Sequence, residues 1–379
     1  MEDAPPGLEG LIVAETEIGD VRGLEGFYHY RQYNAVELAE KRSLEDVWYL
    51  LFNGALPNKA QATEFKKQIG ELQTVPEAAR EVLPEVVRSQ PVFAPLDALR
   101  TAVSLTTASL GFRDSLDLSA DELKADAMRI SAMMPTLVAS LWRLHKGEGV
   151  VEPDPDLGYA ANYLCMLTGK TPSEEHARAL EQYLISTVDH GFNSSTFTAR
   201  VITSTGASLG AALTGAIGAL SGPLHGAAPG RAMEMLDQIG TPDRAEQWVR
   251  DLVNGGGRVM GFGHRVYRTD DPRSVMLRGV AQRLGGDLVE LAVEVEKVVN
   301  RVMPELKPGR RINTNVEFYA GVVMSSIGLD RTLFTPTFTT SRTIGWCANI
   351  LEQAAHNRLI RPAARYVGEP PPQPVPDPE

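Results

Sequence analysis

Cysteine is almost absent from this chain: two in 379 residues, Cys165 and Cys347. Neither belongs to a CxxC pair, so neither a disulfide framework nor a zinc site is suggested, and a reducing, cytoplasmic compartment fits. Aromatic residues are sparse at 7%. Basic residues are outnumbered, and the net charge of −11 argues against a nucleic-acid partner, because an acidic surface repels phosphate. The first residues, Met1-Glu2-Asp3-Ala4-Pro5-Pro6, lack the basic region and apolar core of a signal peptide. No long run of Leu, Ile and Phe exists. The one stretch that could be mistaken for a membrane span, 203–220, is built from Gly, Ala, Ser and Thr. Its spacing of Gly206, Gly210 and Gly218, with Gly215 between, predicts instead one buried helix that neighbours approach closely. No membrane role is expected.

What remains is a mostly helical pattern. Apolar residues at Leu288, Leu291, Ala292, Val295, Val298, Val299 and Val302 follow helical spacing, with Glu290, Glu294, Glu296 and Lys297 on the opposite surface. Asp287 and Glu290 mark that helix's start. Similar runs occur at 44–53, 97–111, 122–145, 175–189, 231–239 and 245–254. Extended signals are confined to Leu11–Ala14 and Phe27–Tyr30, which predicts a small N-terminal β element. Alternating strands and helices are missing, so a parallel α/β fold is disfavoured and an all-α fold expected. The length favours two domains. Proline at 370, 371, 372, 374, 376 and 378 predicts a disordered tail over 368–379. Gly255-Gly256-Gly257 is a helix terminator or a hinge.

Three motif-like matches are set aside. Gly206-Ala207-Ser208-Leu209-Gly210 spells a nucleophile elbow, but that motif needs a preceding strand and the run here reads as helical. Gly169-Lys170-Thr171 resembles the end of a P-loop, but its first glycine would fall on Leu164. Asn193-Ser194-Ser195 is a glycosylation sequon that means nothing without secretion.

Three segments concentrate ionisable groups among glycine and apolar residues: Ser221-Gly222-Pro223-Leu224-His225-Gly226, then Gly261-Phe262-Gly263-His264-Arg265-Val266-Tyr267-Arg268 with Asp271-Pro272-Arg273, then Asn315-Val316-Glu317-Phe318-Tyr319. Glycine beside an ionisable side chain lets a ligand come close. A carboxylate among aromatics is desolvated, and its pKa rises toward that of a useful base. Taken singly, His225 reads as a hydrogen-bonded buried histidine, Glu317 as the partner of an arginine, and Arg268, Arg273 and Arg361 as solvated surface residues. Arg342 is different: Thr343, Ile344, Gly345, Trp346 and Cys347 surround it, and a buried arginine needs an anion.

Together, Gly-Pro-Leu-His-Gly and Gly-Phe-Gly-His-Arg-Val-Tyr…Asp-Pro-Arg resemble the citrate synthase family, of the short bacterial, homodimeric type. Gly7-Leu8-Glu9-Gly10, Tyr30-Arg31 to Leu56-Pro57, Asn162-Tyr163-Leu164, Gly169 and the run Asp189 to Thr196 follow the same pattern over nearly the full length. The resemblance implies a two-domain helical fold, with a large domain from 1–223 plus 324–379 and a small domain from 224–323. It implies condensation of acetyl-CoA with oxaloacetate and hydrolysis of citryl-CoA to citrate and CoA. By the same resemblance, His225 stabilises the enol of the thioester, His264 acts as acid on the oxaloacetate carbonyl, and Glu317 removes the methyl proton. His190, Arg273 and Arg342 hold oxaloacetate, and Arg361 reaches the neighbouring subunit's site. Val259, Gly261, Phe262, Gly263, Arg268 and Asn315 receive CoA. No metal or resident cofactor is implied.

Two positions depart from the family pattern. Aspartate is usual at 317, and glutamate adds one methylene, roughly 1.5 Å of reach. Pro229 stands where asparagine is common. 2-Methylcitrate synthesis from propionyl-CoA is the nearest alternative, since one methylene in an acyl pocket is worth only about 1–3 kcal/mol. A silent homologue that binds CoA or oxaloacetate is the rival of another class.

Overall fold

The computed structural model describes residues 5–226, 230–263, 267, 269–308 and 312–376. Three short strands open the fold: β1 (Gly19–Arg22), β2 (Phe27–Tyr30) and β3 (Tyr33–Asn34), antiparallel in the order β1-β2-β3. Gly19 faces Tyr30, and Tyr30 faces Tyr33. Alternation along β2 buries Tyr28 and Tyr30 on one face. The expected extended segment at Leu11–Ala14 is irregular instead. Leu11, Ile12 and Val13 are exposed, and among the described residues no strand pairs with them.

The rest is helical. The first group comprises α1 (Ala35–Lys41), α2 (Leu44–Asn53), α3 (Lys59–Glu71), α4 (Glu77–Arg80), α5 (Leu83–Arg88) and α6 (Pro95–Ser109). Next come α7 (Ala120–His145), α8 (Tyr159–Thr168), α9 (Glu174–Thr187), α10 (Ser194–Ser204) and α11 (Leu209–Leu220). Then follow α12 (Gly230–Ile239), α13 (Ala245–Asn254), α14 (Pro272–Leu284), α15 (Asp287–Leu306), α16 (Val316–Ser326) and α17 (Phe334–Ala355). Side-chain caps start many of them. Ser119 and Glu122 form a capping box on α7, and Asn58 with Gln61 does so on α3.

Helix α17 is the axis of the assembly. It packs against α7, α9, α10 and α11 and is buried around nearly its whole circumference. Its hydroxyls are absorbed by its own backbone: Thr339 donates to Thr335 O and Thr343 to Thr339 O. At Gly345 the helix touches backbone. A Cβ there would lie 2.0 Å from Val188 O. Helices α12 to α16 pack on one another, and α14 and α16 also meet α9.

Several expectations need correction. The stretch 203–220 is two helices, not one: α10 ends at Ser204 and Ser208 caps α11. Gly206 turns the chain at φ +86, a region that favours glycine. Ser208 Oγ accepts from Ala211 N, so the spelled nucleophile is a helix cap. The close approach does occur, with Gly215 of α11 against Ile202 of α10. Helix α15 starts at Asp287, but its cap is Gly286 without a side-chain bond. A domain boundary at 323/324 would cut α16, which continues to Ser326. Gly255 and Gly256 follow the end of α13 as terminators. Beyond α17 the chain to residue 376 carries no helix or strand and is mostly exposed. Among the described residues, no helix is long and apolar enough to cross a membrane.

Gly345→Ala is expected to destabilise the fold by about 1–3 kcal/mol, because α17 must move off Val188. Thermal unfolding checks this, and an unchanged midpoint would show that the contact is not tight.

Candidate active site

Two segments about fifty residues apart lie side by side. Gly263 N donates to Asn313 O at 2.8 Å, Asn315 N donates to Gly261 O at 2.9 Å, and Asn315 Nδ2 donates to Gly263 O at 3.0 Å. Gly261 has φ +77, and a Cβ there would meet Phe318 Cβ at 2.8 Å, so only glycine lets α16 seat against this strand-like run.

Three helices start at the site, each with an amide or carboxylate cap. Asn193 Oδ1 accepts from Thr196 N on α10, Asp271 Oδ1 from Arg273 N on α14, and Asn315 Oδ1 from Glu317 N on α16. Asp271 does more. Its Oδ1 also takes Arg273 Nε at 3.0 Å, while Oδ2 takes Arg273 Nη2 at 2.8 Å and Val316 N at 3.0 Å. One buried carboxylate thus aligns the arginine and fastens the first turn of α16, where Glu317 sits.

A cavity of about 650 Å³ lies between these helix ends. His190, His225, Arg273, Asn315, Glu317 and Arg342 all line it, as do Gly263, Arg258, Tyr183, Ala320, Thr335 and Phe338. Helix N-termini and arginines together favour an anion. Arg342 is buried, donates from Nε to Thr187 O at 2.8 Å, and lies 4.5 Å over the Phe338 ring. The Arg273 guanidinium lies between the rings of Tyr28 and Tyr267, 6.0 and 5.8 Å from their centroids. His190 Nε2 is 3.0 Å from Tyr267 Oη, and its ring meets both tyrosines. Tyr30 Oη donates to the carbonyls of Ile185 and Asp189, so the small sheet holds the segment that carries His190.

Burial governs the ionisation of the cavity walls. It pushes the Glu317 carboxyl up to about 7; the charges of Arg273 and Arg231 pull it back, and Asp271 adds to the rise. Among the described residues no ion pair closes on this carboxylate, Arg273, Arg342 and Arg361 included. Burial, helped by the charge of Arg342, lowers His225 to about 4, which leaves its imidazole neutral at ordinary pH. Burial also raises Asp189 to about 6 against the pull of Arg342 and its hydrogen bonds, one of them from Asn349. The walls therefore offer a carboxylate near its pKa at neutral pH, a neutral imidazole and the guanidinium groups of Arg258, Arg273 and Arg342.

Not every expected residue lies there. Gly261 and Phe262 lie on the paired run beside Gly263, and neither they nor Val259 line the cavity. Arg361 is exposed and away from it. His264, Arg268 and Pro229 lie outside the described residues. Arg273, read singly as a surface residue, is buried. Glu296, expected on the solvent face of α15, is buried and accepts from Tyr319 Oη at 2.6 Å and Thr314 Oγ1 at 3.2 Å. Residue-level reading gave no role to Asp271, although Asp before Pro is a helix-start signal. It also passed over Tyr28, Tyr267 and Phe338, whose rings carry no polar pattern along the chain.

A family profile described as "Citrate synthase, C-terminal domain" matches residues 7–363. The citrate synthase of Haloferax volcanii is 38% identical over 370 residues, covering 96% of this chain and 95% of that one. Citrate synthase 2 of Bacillus subtilis is also 38% identical, covering 96% of each. Among solved structures, citrate synthase from Thermotoga maritima superposes with a TM-score of 0.83 at 33% identity, over 99% of this chain and 98% of that one. A ternary complex of citrate synthase from Thermoplasma acidophilum with carboxymethyl coenzyme A and oxaloacetate gives 0.87 at 28% identity, over 99% of each chain. Likeness across the whole length, in sequence and fold, defines an enzyme of the acyltransferase class. More particularly, the chain belongs to the citrate synthase family and fits its short bacterial type.

Among the described residues no group of three His, Cys, Asp or Glu side chains could hold a metal ion. Two outcomes are expected from the site's electrostatics. Asp271→Asn leaves Arg273 buried without its full charge partner and should cost about 3–5 kcal/mol in urea unfolding; a loss under 1 kcal/mol would show that Arg273 finds another anion. The second concerns Glu317. The folded state raises this carboxyl from 4.5 to about 7, so it binds the proton more tightly than the unfolded chain does. Stability is therefore lost as pH rises through that window. Glu317→Gln should exceed the unaltered protein in stability at pH 8 and not at pH 4, and parallel pH profiles would contradict the assignment.

Proposed function

We propose that this chain condenses acetyl-CoA with oxaloacetate and hydrolyses the resulting thioester to citrate and CoA. The observation that carries the reading is the meeting of Glu317, neutral His225, Arg273 and Arg342 in one cavity. Oxaloacetate has two carboxylates, and guanidinium forks bind carboxylates in pairs of hydrogen bonds. Arg273, Arg342 and His190 would hold it. The Glu317 carboxylate takes a methyl proton from acetyl-CoA while His225 donates a hydrogen bond to the thioester oxygen, so the forming enol never carries full charge. The enol carbon attacks the ketone of oxaloacetate, and His264 supplies the proton to the new alkoxide. Water then cleaves the thioester. Gly263 and Asn315, with Val259, Gly261, Phe262 and Arg268 beside them, would receive the CoA arm.

The reading extends to the whole molecule. Residues 1–223 with the C-terminal part form the large domain, and 224–323, extended to the end of α16, the small one. Closure of one on the other would exclude water until the carbon–carbon bond exists. The protein acts as a homodimer, with Arg361 completing the neighbouring site; exposed Leu359, Tyr366 and Val367 in that arm support a partner surface. Cys165 and Cys347 are free thiols, in keeping with a cytoplasmic protein. Acetyl-CoA is a co-substrate, and the chemistry calls for no metal or resident cofactor. The relatives above are named citrate synthases, which favours acetyl-CoA over propionyl-CoA.

A thiol assay tests the reading: CoA release from acetyl-CoA should require oxaloacetate, and kcat/KM should be higher than with propionyl-CoA. Oxaloacetate binding without release would instead support a silent homologue. Glu317→Gln should lower kcat by about 10²–10⁴-fold. Because the base works deprotonated, kcat/KM should climb about tenfold per pH unit below the Glu317 pKa and level off above it. A flat profile between pH 5 and 8 would remove Glu317 from that role.

A further inference from the structure

Ser195 links His225 to two further polar groups, Asn193 and Trp346, to which the proposed chemistry gives no role. Its Oγ lies 2.8 Å from His225 Nε2 and 2.8 Å from Asn193 Oδ1, and it accepts from Trp346 Nε1 at 3.0 Å. Its backbone N–H donates to His225 Nε2 at 3.3 Å. A hydroxyl has one proton and two lone pairs, and an indole N–H can only donate. Trp346 therefore always occupies one lone pair of Oγ. The hydroxyl proton is left with two acceptors. Given to His225 Nε2, beside the backbone N–H, it requires the imidazole proton to sit on Nδ1. Given to Asn193, it leaves only the Ser195 backbone N–H, at a longer 3.3 Å, to hold Nε2 as an acceptor, and the remaining Oγ lone pair can then accept from Nε2–H, which would leave Nδ1 bare. Only the first tautomer can donate from Nδ1 to a thioester oxygen.

We infer that Trp346 is a positioning residue that holds His225 in its Nδ1–H tautomer through Ser195. An oxygen that already accepts one hydrogen bond is a better donor and a poorer second acceptor. The indole bond thus favours Ser195 donating to Nε2. Trp346 stands one helical turn after Arg342 on α17, so the same face that supplies the cavity's arginine supplies this contact from behind. Trp346 is fully buried and exchanges no bond with the solvent.

The inference rests on reading His225 as the donor to the thioester, and the test separates the two. Trp346 is replaced by β-(3-benzothienyl)alanine, which keeps the shape and puts sulfur in place of N–H, and in parallel by Phe. Imidazole ¹⁵N shifts of His225 are recorded without substrates, assigned by His225→Gln, together with kcat and the KM for oxaloacetate. The unaltered protein should show Nδ1–H. The isostere should move toward Nε2–H and lose about tenfold in kcat, one hydrogen bond's worth, with KM little changed. An Nε2–H tautomer in the unaltered protein, or an isostere with the same tautomer and kcat, overturns the inference. Absence of oxaloacetate-dependent thiol release in the unaltered protein overturns the functional reading instead.

Discussion

The Asp271 carboxylate is the joint from which the site is built. It caps α14, grips Arg273 with both oxygens and accepts the first N–H of α16. Two helices that begin more than forty residues apart are thereby fixed by one side chain. Its full burial makes those bonds strong, because no water competes for them. The carboxylate also offsets part of the charge of Arg273, which is still felt at Glu317 and lines the cavity. Glu317, one residue past the fastened N–H, inherits its position from this joint.

That position explains the contrast between the two carboxylates. Asp271 has an arginine and backbone donors; Glu317 has burial and no ion pair among the described residues. The same burial that costs Glu317 its easy ionisation makes it a base matched to neutral pH. His225 shows the opposite sign of the same effect: burial and Arg342 keep its ring uncharged. A neutral imidazole can stabilise an enol without first losing a proton. The cavity carries a carboxylate in one wall and guanidinium groups in another, and among the described residues no ion pair joins Glu317 to them.

Much of this was legible along the chain, and the limits have physical reasons. Helix α15 shows itself because one face is wet and one dry. Helix α17 does not, because it is buried all round and its threonines bond to its own carbonyls. The stretch 203–220 looked continuous because hydropathy does not register a turn at a left-handed glycine. Glu296 follows the charge pattern of a solvated face, yet Tyr319 and Thr314 from distant segments fold over it. Candidate site residues stand out where the local pattern is unusual, as with His225 beside glycine and Glu317 within a Val/Phe/Tyr run. The aromatic supports Tyr28, Tyr267 and Phe338 were missed because stacking on Arg273, His190 and Arg342 exists only in three dimensions.

The most direct measurement is of the Glu317 carboxyl itself. Carboxyl ¹³C resonances of glutamate-labelled protein, titrated alongside Glu317→Gln, identify the one signal that the substitution removes. The account expects that signal to titrate near 7, driven there by burial. A midpoint at the ordinary glutamate value of 4.5 would mean an open, hydrated carboxylate, and with it the loss of the base on which the proposed chemistry turns.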